Sequence, residues 1–319
     1  MLSQSEAVGG YFELELPDGN GQYYPEALKY QSARSAFYAL LMHYKPKKVW
    51  MPYYICDSML APLDAAGILV SFYSMNADFS IKDAVELGDK DLLLYVNYFG
   101  LCSKIEDELL EKFDPEKLIL DHSQAFFEQP KNCLATIYSP RKFFGVPDGG
   151  LLITSLDIKD PEHIDQDSIH RAKHLLLRLA GEPEDGYEAY QQAEESLKSL
   201  EPKRMSLLTE RMLSSIDYEA VKVARENNFR ALHAILAEKN YIDLEFNNVV
   251  GPMVYPYMPA SSAKSLKSDL IKQRWFIATY WPECERRIDS ECFESVLLSN
   301  LMALPIDQRY KMERFENDL

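Results

Sequence analysis

The first half of the chain alternates short apolar runs with amphipathic stretches. Residues 32–44 place apolar side chains at helical spacing behind Ser32, a suitable N-cap. The continuous apolar run LLLYV at 92–96 is typical of a strand covered on both faces. The same reasoning predicts strands at 48–52, 69–75, 118–120, 135–138 and 150–154, and helices at 55–67 and 105–113. This alternation predicts an α/β domain with a mainly parallel sheet.

The pattern changes after residue 155. Residues 160–240 are almost wholly helical in character, with helices predicted within 170–180, 187–200, 204–216 and 219–238. Residues 249–319 return to mixed structure, with strand-like PMVYPYM, a helix near 262–273 and a closing apolar LMALPI. We therefore predict a large α/β domain over 1–155, a linking helical region over 156–240 and a small α+β domain over 241–319. Residues 1–31 show no clear period.

Composition and charge narrow the class of protein. The chain has 319 residues, 47% of them hydrophobic, which is ample for a buried core. Its formal net charge of -16 argues against nucleic acid or anionic membrane as a partner. No apolar run reaches the ~20 residues that span a bilayer. The opening MLSQSEAVGG lacks the order of a signal peptide, and the five cysteines form no C-x-x-C pair. We expect a cytoplasmic protein with free thiols and no metal site.

Three chemically unusual segments follow predicted strands or begin a predicted helix. Asp121 comes directly after the strand at 118–120, and Lys142 closes the segment SPRK after the strand at 135–138. The helix start at Ala33 and Arg34 offers backbone N–H groups that can hold a phosphate. Functional groups of open α/β sheets gather at the carboxyl ends of strands. A lysine for a Schiff base, an aspartate for a pyridine nitrogen and an anion-binding helix start are what pyridoxal phosphate requires.

These segments resemble motifs of the DegT/StrS-type sugar aminotransferases. DHSQA at 121–125 resembles the family's D-x-A-Q-A, and SARSA at 32–36 resembles its S-G-T-x-A-L phosphate helix. The segment from Ser139 through Lys142 to GG at 149–150 resembles S-F…K…G-G. Further matches lie in the same order along the chain: PYY at 52–54, VNYFG at 96–100, KRMS at 203–206 and LPI at 304–306.

The resemblance implies a fold-type-I, pyridoxal-phosphate-dependent aminotransferase with a three-layer α/β/α domain and a small C-terminal α+β domain. Lys142 would bind the cofactor covalently and move the proton, Asp121 would pair with the pyridine nitrogen, and Gln124 would contact the phenolic oxygen side. The phosphate would be bound by Ser139 and by the backbone of Ala33 and Arg34. The implied reaction passes an amino group from an amino acid to a keto sugar, nucleotide-linked, in surface-polysaccharide or amino-sugar biosynthesis.

The resemblance also implies a homodimer with shared sites, in which Arg204 reaches the neighbour's cofactor phosphate. The sequence offers a second reason to expect a dimer. Helices predicted within residues 160–216 carry apolar positions on more than one side, for example LLL at 175–177. One chain would struggle to bury all of these positions, and a twofold partner would cover the remainder.

The chain departs from the family's pattern at several positions. Ala33 and Arg34 replace a glycine and a threonine, and Pro202 stands where an asparagine is common. Cys56 stands where an aromatic ring usually stacks on the cofactor, so Tyr53 or Tyr54 would supply that face. Two alternatives therefore remain: a cofactor enzyme of the same fold with another substrate or reaction, and a cofactor-free relative that acts as a binding protein.

Individual residues also have ordinary interpretations. Lys142 alone could be a loop lysine, and Asp121 could cap a turn. The Arg34 side chain could reach a phosphate or a substrate carboxylate. His170 and His174 are spaced i, i+4 but lack an accompanying carboxylate in the HExxH pattern, which favours a solvated helix face over a metal pair.

Overall fold

The computed structural model describes residues 8–246, 248–260 and 262–312. The opening MLSQSEAVGG was interpreted as lacking the order of a signal peptide. Residues 1–7 of this segment lie outside the described residues. The outer ends of the first and last predicted domains, residues 1–7 and 313–319, also lie outside them.

Strands and helices alternate through the first half of the described residues, and helices dominate the middle. The strands are β1 (Leu28–Tyr30), β2 (Lys48–Pro52), β3 (Leu69–Tyr73), β4 (Asp91–Val96), β5 (Leu118–His122), β6 (Ala135–Tyr138), β7 (Gly150–Thr154), β8 (Val254–Tyr257) and β9 (Met302–Pro305). The helices are α1 (Ala33–Tyr44), α2 (Asp57–Ala65), α3 (Ser103–Lys112), α4 (Ser168–Arg171), α5 (Lys173–Ala180), α6 (Tyr187–Ser196), α7 (Leu207–Ser214), α8 (Tyr218–Leu236), α9 (Ala263–Lys272) and α10 (Phe293–Asn300).

Seven strands form the central sheet in the order β1-β7-β6-β5-β4-β2-β3. The run from β3 to β6 is parallel, whereas β7 is antiparallel to both β6 and β1. Every residue of β4 and β5 is buried. The continuous apolar run of β4 predicted this burial, because such a run is typical of a strand covered on both faces. The prediction of an α/β domain with a mainly parallel sheet is confirmed.

Several elements, such as β3, α2 and α6, are shorter than predicted, and three differ in a way that matters for the fold or the site. β1 lies in the segment expected to hold no element, because its three residues are stabilised by pairing with β7 rather than by a local pattern. β5 continues through His122, so Asp121 lies inside the strand and not after it. The helix expected over 170–180 is divided at Ala172 into α4 and α5.

A second, smaller structure is built around the antiparallel pair β8 and β9. Helix α8 and helix α9 pack on this pair and form a separate hydrophobic cluster that includes Phe229, Tyr255, Leu270 and Leu304. This arrangement agrees with the expected small α+β unit, and the boundaries at residues 155 and 240 stay a prediction. No described helix is both long enough and apolar enough to cross a membrane.

Candidate active site

Asp121 lies near the carboxyl end of the central sheet. Its Cα pairs with Val96 on β4 and with Ile137 on β6. Ser139 follows two residues after Ile137, and because side chains alternate along a strand, it is expected on the face that carries Asp121. The Asp121 side chain is 3% exposed, and its Oδ1 accepts a hydrogen bond from the Ser123 amide at 2.8 Å. This bond is the turn contact foreseen for an ordinary aspartate, and it also fixes the carboxylate.

Lys142 ends a single turn of 3-10 helix, Pro140–Lys142, directly beyond β6. The Lys142 amide donates to the Ser139 carbonyl at 3.2 Å, so the backbone of the turn is closed. The Lys142 side chain is exposed, and its ammonium has no hydrogen-bond or ion-pair partner among the described residues. Its backbone is therefore held while its amine is free.

The Gly149–Gly150 pair brings the helix start against the lysine segment. The Gly149 amide donates to the Gln31 carbonyl at 2.7 Å, and Gly149 forms a parallel bridge with Ser32. A Cβ on Gly150 would lie 2.1 Å from the Ser32 carbonyl carbon, so only glycine permits this approach. A Cβ on Gly149 would lie 2.9 Å from Pro140 Cγ. The GG motif thus joins the start of α1, the start of β7 and the turn that carries Lys142.

The start of α1 has the geometry of a capped helix N-terminus. Ser32 has extended backbone angles, and its Oγ accepts from the Ser35 amide at 3.2 Å. Helix starts of this kind attract anions through their remaining amides and the helix dipole. The predicted phosphate contacts of Ala33 and Arg34 are backbone contacts at this same point, and they stay predictions.

The Arg34 side chain has a structural role that the sequence did not reveal. Its Nε donates to the Ser58 carbonyl and its Nη1 to the Leu197 carbonyl, both at 3.1 Å. Burial lowers the pKa of this guanidinium. The two carbonyls that Arg34 binds tie α1 to α2 and to the end of α6. A contact of its side chain with a phosphate or a carboxylate stays a prediction.

Gln124 is completely buried behind the VNYFG segment. Its Oε1 accepts from the Phe99 amide at 3.0 Å, where the Phe99 backbone has a left-handed φ of 62°. Its Nε2 is buried and has no hydrogen-bond partner among the described residues. Buried amide donors are almost always paired, so this atom calls for an acceptor that the polypeptide described here does not supply.

Three residues had been expected at the cofactor's ring face. Tyr53 stacks on Phe72 with ring centroids 5.1 Å apart. Tyr54 is 1% exposed and packs edge-on against Trp281 at 4.7 Å, so it belongs to the core. Cys56 caps α2 by accepting from the Ser58 amide. Each has a packing or capping role that accounts for its position, and their contact with a cofactor stays a prediction.

Arg204 lies beside the sheet edge and is paired within the chain. Its backbone forms bridges with Tyr30 and Ile164, and its Nη2 lies 3.2 Å from Glu210 Oε1. The same glutamate accepts from Lys29 at 3.1 Å. The Arg204 side chain is 37% exposed, so it remains accessible at one side. A contact with a neighbour's phosphate would have to compete with Glu210.

A buried pair of a histidine and a glutamate lies at the carboxyl end of β5, the middle strand of the sheet. His122 Nε2 and Glu106 Oε1 are 2.7 Å apart, and neither side chain is exposed. Burial opposes the charged imidazole, but the Glu106 carboxylate outweighs it, so the pKa of His122 is raised. Glu106 also lies 3.8 Å from the Lys131 ammonium. His122 thus has a structural partner in Glu106.

A cavity of about 680 Å³ opens between helices α5 and α6 and the C-terminal segment. Its wall combines aromatic rings with cationic side chains, including His174, Arg178, Tyr187, Tyr190, Arg274 and Tyr310. Leu175 on α5 is the nearest neighbour of Gly145, three residues after Lys142, which places α5 against the lysine segment. His174 faces this cavity, and within the part of the chain that the structure describes no group of three His, Cys, Asp or Glu could hold a metal ion.

Two residues that no sequence motif singled out, Arg225 and Gln308, bind the backbone just after Lys142. Arg225 on α8 is 2% exposed, and Gln308 follows β9. Both donate to the carbonyl of Phe143, at 3.3 Å and 2.9 Å respectively. The signal was present in the sequence: Arg225 stands at helical spacing from the buried Phe229 and Leu232, on the apolar face of its helix.

No family model matches the chain, and no curated protein matches it. Solved structures do. Spr1654 of Streptococcus pneumoniae, assigned as a sugar aminotransferase and solved in its PMP form, has a TM-score of 0.65 at 14% identity, with 92% of this chain and 85% of that chain covered. A DegT DnrJ EryC1 StrS aminotransferase of Brucella abortus gives 0.60 at 13%, with 92% and 84% covered. The GDP-4-keto-6-deoxy-D-mannose-3-dehydratase of E. coli, with bound hydrated PLP, gives 0.62 at 15%, with 92% and 87% covered.

This chain has the fold of these proteins. The predicted fold class, fold type I with a mainly parallel central sheet, is therefore confirmed. The structural relatives include the family whose motifs the sequence resembles. At 13–15% identity the likeness establishes the fold, and the reaction has to be argued from the residues of this chain.

Proposed function

We propose that this protein is a pyridoxal-phosphate-dependent aminotransferase that passes an amino group from an amino acid to a keto sugar, nucleotide-linked. The observation that carries the proposal is the assembly around Gly149–Gly150. There the capped start of α1 meets the turn that bears Lys142, beside the strand that bears Asp121. An anion site, an amine and a fixed carboxylate are thus gathered at one end of the sheet.

The residues fit pyridoxal phosphate on two further counts. Gln124 Nε2 is a buried donor without an acceptor among the described residues, and a cofactor oxygen is an acceptor of the required kind. Glycine at 150 is the residue that lets the helix start approach the strand. When bound, the cofactor supplies an aldehyde that condenses with amines and a ring that accepts electrons.

We assign each residue a role that matches how it is held. The Asp121 carboxylate is buried and fixed by Ser123, which suits a group that would face the pyridine nitrogen of the cofactor. The Lys142 amine has no partner among the described residues, which suits a group that would bind the cofactor and then carry a proton on its Nζ. Ser139 and the amides of Ala33 and Arg34 hold the phosphate.

The cavity between α5, α6 and the C-terminal segment is our candidate for the substrate space, and neither Lys142 nor Asp121 lines it. Its volume of about 680 Å³ lies in the range of small-molecule sites. Its wall carries Arg178, Arg274, Arg309 and one acidic residue, Glu182, and Arg309 is paired with Asp307. This excess of arginine in a chain with a net charge of -16 favours an anionic substrate. Arg178 has no side-chain partner within the described residues, whereas Arg274 is paired with Glu182 and Glu184.

We further propose that the active unit is a homodimer. Ile169, Leu176 and Leu179 are 73%, 55% and 85% exposed on α4 and α5, and Leu207 at the start of α7 is 60% exposed. Several large apolar side chains exposed in one region indicate a surface that another protein covers. Arg204 lies close to this region, and a second copy would bring its own Arg204 toward the neighbouring site. Sedimentation of the wild type and of Leu179→Glu tests this: the variant should shift from dimer to monomer, and a wild-type monomer would contradict it.

Two alternatives differ from the proposal in measurable ways. An enzyme of the same fold with another reaction would bind pyridoxal phosphate without passing an amino group to a keto sugar. A cofactor-free binding protein would be colourless once unbound pyridoxal phosphate had been removed from the mixture.

The deciding experiment is a half-reaction. Purified protein is loaded with pyridoxal phosphate, and single amino acids are added without a keto acceptor. The proposal expects the visible absorption band to be converted to that of the pyridoxamine form, and a keto-sugar nucleotide to restore it. A loaded protein whose band no amino acid converts would contradict the assignment as an aminotransferase.

A further inference from the structure

The carbonyl of Phe143, the residue after Lys142, is held by two side chains from other parts of the molecule. Arg225 Nη2 donates to it at 3.3 Å and Gln308 Nε2 at 2.9 Å. Because a carbonyl oxygen has two lone pairs, these two donors can saturate it. The Arg225 guanidinium also lies 4.6 Å from the centre of the Phe143 ring. We call Arg225, Gln308 and this carbonyl the Phe143 bracket.

The bracket reaches both strands of the small sheet, at the end where Val254 of β8 pairs with Pro305 of β9. Arg225 Nη1 donates to the carbonyls of Pro252 and Met253, each at 3.1 Å, immediately before β8. Arg225 Nε donates to Gln308 Oε1 at 3.0 Å, three residues after β9. One planar guanidinium thus connects the lysine segment with the two strands of the small unit. The flat fork of arginine can serve several acceptors at once, which the single ammonium of lysine cannot.

The guanidinium has no carboxylate in direct contact among the described residues. Burial lowers the pKa of Arg225 to about 10, with the Asp307 carboxylate partly opposing the shift. A buried cation is normally retained with a charged partner, because desolvation is costly. Here four neutral oxygens, three of them backbone carbonyls, satisfy it. The group is thus dedicated to fixing backbone.

We propose that Arg225 and Gln308 are positioning residues that fix the backbone at Lys142 and couple it to the small unit. The Lys142 side chain is exposed and unpaired in the described part of the chain, so its place is set by its backbone alone. That backbone is closed on one side by bonds from the Phe143 and Phe144 amides to the Pro140 carbonyl, and on the other by the bracket. A fixed origin for a free amine raises its effective concentration at the reacting atom. The link to cofactor chemistry rests on the proposed function.

Gln308→Glu separates the two contacts of that side chain. A glutamate keeps an acceptor for Arg225 Nε but has no donor for the Phe143 carbonyl. Arg225→Met removes the whole guanidinium at similar length. Arg230→Met is the matched control, because Arg230 lies on the same helix, is 67% exposed and pairs only locally with Glu226 and Asn227.

The first readout is hydrogen exchange in the cofactor-free protein. Amides in residues 139–148 should exchange roughly tenfold faster in Gln308→Glu, as the loss of one neutral hydrogen bond implies, and at least as fast in Arg225→Met, which loses four bonds, while β4 and β5 keep their protection. Arg230→Met should match the wild type. If Arg225→Met does not fold, Gln308→Glu alone decides. Unchanged exchange in a folded Gln308→Glu would overturn the bracket.

The second readout is the affinity for pyridoxal phosphate, followed by the visible absorption band. We expect binding to weaken by roughly tenfold in Gln308→Glu and not in Arg230→Met. Faster exchange with unchanged affinity would overturn the role at Lys142. A protein that binds no cofactor in any form would refute the proposed function, and the exchange measurement would still decide whether the bracket holds the segment.

Discussion

The two residues assigned to the chemistry are held in opposite ways. Asp121 lies within a strand that is paired on both sides, is 3% exposed and accepts a bond from the Ser123 amide. Lys142 lies at the end of one 3-10 turn, with an exposed side chain and no partner among the described residues. The carboxylate is fixed with its strand, whereas the amine is free on a backbone that the Phe143 bracket holds.

This difference follows from what each group has to do. A carboxylate that stabilises a charge contributes most when it is already in place and needs no reorganisation. An amine that binds covalently, leaves and then transfers a proton has to change its position during each turnover. The comparison predicts that stability and activity respond differently at the two positions.

The largest effect is expected at Lys142. Lys142→Ala should abolish covalent binding of the cofactor and reduce amino transfer by a factor on the order of 10⁴. Because the side chain is exposed and unpaired within the described chain, the free energy of unfolding should change by less than about 0.5 kcal/mol. Lys198→Ala, at a lysine 64% exposed, is the control for both measurements. Near-normal turnover in Lys142→Ala would remove the lysine from the mechanism.

Asp121→Asn should retain the cofactor and lose turnover by roughly 10²–10³-fold, because a neutral amide cannot hold the proton on the pyridine nitrogen. The asparagine still accepts from the Ser123 amide, so the fold should persist. Asp91→Asn is the control: Asp91 is also buried, but it lies at the opposite end of the sheet and pairs with Lys48. That variant should lose stability and keep turnover. The reverse pattern in steady-state kinetics and urea unfolding would contradict the comparison.

The glycine pair tests how the two regions are joined. Gly150→Ala should destabilise the protein by about 2–4 kcal/mol, because its Cβ would lie 2.1 Å from Ser32. Gly145→Ala meets only Leu175 Cδ2 at 3.6 Å and should stay within about 0.5 kcal/mol of the wild type. Urea unfolding measures both. Equal stability of the two variants would show that the approach of Gly150 to α1 is not needed.

The smallest expected effect is on the pH dependence of the free energy of unfolding, and it involves the buried pair of His122 and Glu106. The pKa of His122 is raised in the folded protein, so its contribution to stability is complete below the unfolded value of about 6.5 and is lost as the pH rises through the folded pKa. Glu106→Gln should remove this loss above pH 6.5, because it removes the charge that raises the pKa. Glu108→Gln, at an exposed position on the same helix, should retain it. Unfolding free energies between pH 5.5 and 9 would reveal a contradiction if Glu106→Gln retained the full pH dependence.

Much of the central sheet could be predicted from the sequence. β2, β6 and β7 have the predicted bounds, because short apolar runs between polar turns have few other structures available. β1 could not be predicted, since its pairing with β7 joins residues at least 120 positions apart. Asp121 was placed one position beyond its strand, because a polar residue resembles a strand end even where both neighbouring strands continue to pair with it.

The sequence could propose the candidate site and not its supporting contacts. The lysine, the aspartate and the glycine pair were proposed from their order, their spacing and the resemblance to the family motifs, and their roles stay predictions. The partners of Arg34 lie 24 and 163 residues away, and Gln308 lies 165 residues from the carbonyl it binds. Local patterns contain no information about such contacts. Arg225 lay on the apolar face of its helix, and a buried cation there is a signal that sequence analysis can use.

The most direct test of the account is to find where the cofactor binds. Purified protein is incubated with pyridoxal phosphate, reduced with borohydride, digested and mapped by mass spectrometry. The account predicts a pyridoxyl group on Lys142, in a peptide that spans residues 139–148, and its absence from Lys142→Ala. A pyridoxyl group on another lysine, or none on any lysine, would contradict it.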